Sequence, residues 1–123
     1  MIHLDTNFLI GAMTAGSPQD KQLREWSLAG EVVNIDALAW TEFLCGPVRG
    51  EHVQLAQTLF PTPEPYLPSD AVRAANLYNQ TGRRRGTLVD CMIAACAIRS
   101  GARLATANLD DFRPFRALGL QLA

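Results

Sequence analysis

Lysine is nearly missing from this chain of 123 residues: Lys21 stands alone beside ten arginines. Positive charge is not in excess either, since the formal net charge is -1, which excludes a binder that holds nucleic acid by bulk charge. No apolar run approaches the roughly 18 residues of a membrane span. Cysteine is scarce, and Cys45, Cys91 and Cys96 form no Cys-x-x-Cys pair. His3 and His52 stand far from each other with no cysteine or histidine at ligand spacing beside them, so a zinc site is not expected. An odd number of cysteines with no signal peptide reads as reduced thiols of a cytoplasmic protein. A Gly-x-Gly-x-x-Gly run after a strand is also missing, which excludes the usual dinucleotide cradle.

Hydrophobic residues make up 48% of the chain and charged residues 19%, enough for one core, and the length predicts a single domain over residues 1–123. The near-neutral total hides a split. Residues 1–70 carry nine acids against Lys21, Arg24 and Arg49, whereas residues 71–123 carry eight arginines against three aspartates. Such polarisation suits cation-holding carboxylates and anion-binding surface drawn from different segments, and it equally suits plain surface charge.

Ile2-His3-Leu4 reads as a strand ending at Asp5. Ser17-Pro18-Gln19-Asp20 has the form of a helix start that runs to Gly30, with Leu23, Trp26 and Leu28 as its buried side. Val32–Ile35 is a second strand, and Asp36 caps a helix ending before Gly46-Pro47. A helix over Glu51–Phe60, an extended proline-rich connection and a helix capped by Ser69 follow. Thr87-Leu88-Val89-Asp90 forms a second capping-box pattern ahead of the most apolar helix, which Gly101 ends. Arg103–Thr106 and Leu120–Leu122 close the series as strands. Strands alternating with helices predict an α/β three-layer sandwich around a mainly parallel sheet of four to five strands, with ligands at the carboxyl ends of the strands.

Asp5, Glu42 and Asp90 each place a charge inside an apolar segment, where an ionised carboxylate costs several kcal/mol unless it is compensated. Asp90 has two readings, a capping-box acid or a site residue. If the three meet, each like-charged pair at about 4 Å repels by roughly 4 kcal/mol at an effective dielectric near 20. The carboxylates then take up protons or share a multivalent cation. Oxygen ligands without cysteine or histidine favour Mg²⁺ or Mn²⁺, and the chemistry most often built on such ions is phosphoryl or phosphodiester transfer.

Leu4-Asp5-Thr6-Asn7, Trp40-Thr41-Glu42-Phe43, the Leu88–Ala95 helix and Leu104–Phe112, in this order and spacing, closely resemble the PIN domain. The size is similar to that of stand-alone VapC-type toxins. The resemblance implies an RNA-cutting enzyme with Asp5, Glu42 and Asp90 as acidic metal-site residues and Thr6 lending a hydroxyl nearby. The fourth family position, often aspartate, falls on Asn108, which lowers the site charge; Asp111 in the same loop is a candidate to restore it. Asn108 also suits a turn and Asp110 or Asp111 a cap before Phe112. Arg83, Arg84 and Arg85, ahead of the Asp90 helix, read either as RNA contacts or as a solvated loop. A homodimer and a small antitoxin partner are further implications of the resemblance.

Two rivals come from other classes. A degenerate PIN-like module that binds RNA or protein without cutting draws support from Asn108. A receiver-type signalling domain has similar size and a Mg²⁺ pocket, but it wants paired acids after the first strand and a late lysine, and the only lysine is Lys21. An Asp-x-Asp phosphatase lacks its second acid, because Asn7 stands there.

Overall fold

Ile2, His3 and Leu4 are all fully buried, the mark of a strand covered on both faces. They form β1 (Ile2–Leu4) in a computed structural model that describes residues 1–123. The chain continues through α1 (Thr6–Ala12), α2 (Pro18–Leu28), β2 (Val33–Ile35), α3 (Ala37–Cys45), α4 (Gly50–Leu59) and α5 (Pro68–Gln80). Then come α6 (Leu88–Ser100), β3 (Arg103–Ala105), α7 (Leu109–Phe112), a 3₁₀ turn over Arg113–Leu118 and β4 (Gln121–Leu122).

The four strands form one all-parallel sheet in the order β2-β1-β3-β4. Leu4 stands level with Ile35 on one side and Ala105 on the other. Ile2, Leu4, Ile35 and Ala105 share one face and pack with Phe8, Leu9, Phe43 and Phe60. Leu104 points to the other face, against Leu77, Ile93, Phe112 and Phe115. This is a three-layer α/β sandwich, with the sheet at the low end of the expected strand count.

Four expectations need correction. Leu28 is 90% exposed, and Leu23 and Trp26 are only partly buried; Trp26 reaches the core by stacking on Phe8 at 5.6 Å. Val32 lies outside β2 and faces solvent. Helix α5 starts at Pro68, so Ser69 lies inside its first turn and Asp70 does the capping, accepting from the Leu67 N–H at 2.9 Å. The Thr87–Asp90 box does not form, because the Thr87 hydroxyl donates instead to the Arg84 carbonyl at 2.7 Å. Helix α1 and the α7 turn were not foreseen as helices at all.

Candidate active site

Asp5 follows β1 directly, and its backbone N–H extends the ladder by donating to the Ala105 carbonyl at 3.0 Å. Its extended backbone makes it the N-cap of α1, where Oδ1 accepts from the Phe8 N–H at 2.8 Å. Oδ2 accepts from the Thr106 hydroxyl at 2.5 Å. The residue is 3% exposed. Burial pushes its carboxyl above the ordinary range; the two hydrogen bonds oppose that, and the charges of Glu42 and Asp111 add to it.

Glu42 projects from α3, and its Oε1 accepts from the Thr6 hydroxyl at 2.6 Å. Asp90 lies in the first turn of α6 with no capping bond. Burial pushes Asp90 up to about 6, and Asp111, Glu42 and Asp5 push the same way. None of these four acids is ion-paired, although Asp110 beside them holds Arg113 at 2.6 Å. Asn108 is exposed just past β3, its backbone N–H donating to Thr106 Oγ1 at 2.9 Å.

Asp5, Thr6, Asn7, Glu42, Asp90 and Asn108 line one cleft of about 90 Å³, with Ile93 and Phe112 supplying its apolar surface. The cleft opens where β1 and β3 end. Chain order reverses there, since β2 lies to one side of β1 and β3 to the other, and open α/β sheets place ligands at such a point. Asp111 does not line the cleft, but its charge acts on Asp5 and Asp90. As the side chains stand, no three acids approach closely enough to share one ion.

The residues nevertheless fit a hard divalent cation. Every polar side chain in the cleft offers oxygen or amide donors and none offers sulfur or imidazole, the set suited to Mg²⁺ or Mn²⁺. Burial first, and then the charges of Asp111, Glu42 and Asp5, raise the Asp90 carboxyl, and no cation pairs with it, so the cleft carries a surplus of negative charge.

The arginine loop stands apart. Arg83, Arg84 and Arg85 are exposed and none lines the cleft. Arg83 adopts a positive φ of 52°, donates to Asn79 Oδ1 at 3.1 Å and lies 5.9 Å over the Tyr78 ring. Thr87 ties the loop to the start of α6 through the Arg84 carbonyl. Asn7 and Thr106 were missed as site residues. The signal for Thr106 is a hydroxyl that ends the apolar run Leu104-Ala105.

No curated protein matches the sequence. Several solved structures match its fold. A chain of VapBC2 from Rickettsia felis, bound to a promoter DNA fragment, aligns over 100% of this chain and 98% of its own at 19% identity and a TM-score of 0.78. A chain of DNA-bound VapBC from Salmonella typhimurium aligns over 99% and 96% at 19% identity and 0.75. A chain of a toxin-antitoxin complex from Klebsiella pneumoniae aligns over 91% and 90% at 23% identity and 0.74. The PIN domain family model matches residues 2–117, and on that match the chain belongs to the PIN domain family.

Proposed function

We propose that the protein is a Mg²⁺- or Mn²⁺-dependent ribonuclease and the toxin of a toxin-antitoxin pair. The observation that carries the reading is Asp90: a carboxylate raised to about 6 with no cationic partner, in a cleft with Asp5 and Glu42 at the reversal point of the sheet. Asp5, Glu42 and Asp90 would hold the ion, with Asp111 adding charge from the rim. A bound Mg²⁺ or Mn²⁺ supplies an activated water and neutralises charge on the departing oxygen. Asp5, held by two donors, presents its remaining lone pairs in a fixed direction. Thr6 orients Glu42. Asn108 offers an amide N–H₂ to a phosphate oxygen without adding charge, and Arg83, Arg84 and Arg85 contact RNA phosphates farther out. The products carry 5′-phosphate and 3′-hydroxyl ends.

Cleavage of structured RNA with Mn²⁺ tests this. Activity should vanish with EDTA and fall at least ~100-fold in Asp5→Asn and Asp90→Asn, since each removes one acid of the site. Activity that survives both EDTA and the substitutions overturns the reading.

A cognate antitoxin is the proposed partner. The structural neighbours come from VapBC and toxin-antitoxin complexes. An apolar groove of about 520 Å³ between α1, α2 and α4, lined by Met13, Leu23, Leu28, Leu55 and Leu59, is left unfilled by this chain. A homodimer and a cytoplasmic location belong to the same proposal; no helix is long and apolar enough to cross a membrane. The non-cutting alternative rests on Asn108 and on the separation of the three acids. Retained RNA affinity without Mn²⁺ binding in a calorimetric titration would favour it.

A further inference from the structure

We propose that Thr106 is a positioning residue of the acidic cleft, its hydroxyl joining the Asp5 carboxylate to the Asn108 backbone so that the two move as one unit. The inference rests on the metal-dependent reading above and deepens it.

A hydroxyl has one proton to give and lone pairs to receive with. Both directions are used at Thr106: the proton goes to Asp5 Oδ2 at 2.5 Å, and Oγ1 accepts the Asn108 N–H at 2.9 Å. The rotor is therefore fixed from two sides. Thr6 is different, since its hydroxyl donates to Glu42 Oε1 and makes no second hydrogen bond, so it is free to turn toward another acceptor. The two threonines of the site are not equivalent.

The link also continues the sheet. The last backbone bond between β1 and β3 runs from the Asp5 N–H to the Ala105 carbonyl at 3.0 Å. Thr106 adds one more connection beyond it, made by a side chain where the strands have ended. Asp5 is 3% exposed, so without the hydroxyl its Oδ2 would sit almost out of water with no donor. With it, Oδ1 and Oδ2 are each held by one donor and each keeps a lone pair for a cation. Thr106 does not line the cleft. It acts through Asp5 and Asn108 and not on substrate.

Thr106→Val keeps the β-branched shape and removes the hydroxyl, and Thr106→Ser keeps the hydroxyl. Mn²⁺ titration calorimetry, amide hydrogen exchange at Asn108 and RNA cleavage kinetics on the full chain read the outcome. In Thr106→Val the Mn²⁺ dissociation constant should rise about tenfold or more, the usual cost of losing a group that orients a ligand. The Asn108 amide should exchange faster, and kcat should fall with KM for RNA unchanged. Thr106→Ser should restore all three. If Thr106→Val does not fold, Thr106→Ala carries the same comparison without added bulk. Wild-type Mn²⁺ affinity in a folded Thr106→Val, or equal loss in Thr106→Ser, overturns the inference alone. A wild-type protein that binds no Mn²⁺ overturns the metal-dependent reading and the inference with it.

Discussion

Between pH 3.8 and about 6, Asp36 and Asp90 hold protons in the folded chain that the unfolded chain gives up. Burial pushes Asp36 from 3.8 up to about 7, Glu42 and Asp70 add to the rise, and the backbone N–H groups of Ala39 and Leu38 oppose it. Oδ1 caps α3 through the Ala39 N–H at 2.7 Å, while Oδ2 is buried with no partner. Because the native state binds the extra proton, this stability is fully present below the unfolded value of 3.8 and is lost as pH rises through about 7. Urea unfolding should show stability falling across that window. Asp36→Asn caps as well as Asp and has no proton to titrate, so it should shallow the slope; an unchanged slope counts against the assignment. Asp90→Asn should remove both burial cost and like-charge repulsion. In metal-free buffer it should be more stable than wild type by about 1 kcal/mol after solvent screening, visible as a raised melting temperature, and it should be inactive.

Helix α6 is anchored at its far end by one side chain. Arg99 Nε donates to both oxygens of Asp70 at 2.8 and 3.0 Å, Nη1 donates to Glu64 at 2.7 Å and Nη2 to the Pro65 carbonyl at 2.8 Å. This clamp joins α6 to α5 and to the proline-rich connection. Glu64 in turn pairs its backbone with Ile35 and Ala37 at the root of α3, so the clamp also steadies the helix that carries Glu42. Arg99→Met leaves the Asp70 side chain, 1% exposed, without its cation, and breaking such a pair costs about 3–5 kcal/mol. Chemical denaturation should show that loss. Arg99→Lys should recover only part of it, because an ammonium is a single point charge without the planar fork that reaches Asp70, Glu64 and Pro65 together.

The same elements show what could be read before the structure. The strands, α2, α3 and α6 follow from apolar runs bounded by Ser17-Pro18, Asp36 and Gly101, signals that lie within a few residues of what they control. Helix α1 did not, because Asp5 serves at once as strand end, helix cap and cleft acid, and the sequence shows the first and the last of these without the helix that it caps. Asp70 was hidden by Ser69 one residue earlier, since either could cap and only the fold shows that Arg99 arrives to compensate Asp70. Thr87-x-x-Asp90 fits a capping box by spacing, yet the turn before it draws the hydroxyl to Arg84 and leaves Asp90 facing the cleft. The pairing of Thr106 with Asp5 was invisible because no local pattern links residues so far apart.

Across the whole molecule the charge split proves to be partly structural. Arg99 reaches Glu64 and Asp70, and Arg103 reaches Glu31 at 2.7 Å, so arginines of the second half join it to acids of the first. Arg73, Arg83, Arg84, Arg85 and Arg116 have no acidic partner and remain available to anions. The cleft acids are the matching surplus of negative charge. A cation that binds only the folded cleft stabilises it by about 2.7 kcal/mol at a hundredfold excess over its dissociation constant. Mn²⁺ should therefore raise the melting temperature of the wild type, EDTA should reverse the rise, and Asp90→Asn should show none.

The link between Asp5 and Thr106 spans 101 residues of chain, and that separation has a meaning in the order of synthesis. A chain leaving the ribosome presents Asp5 first, then Glu42, then Asp90, and Thr106 almost last. Until β3 docks beside β1, Oδ2 of the first acid lacks its donor, β1 lacks a neighbour on one side and the cleft has no far wall. A half-made copy thus has no assembled cleft, and the acids that line it come together only as the final segment folds into place.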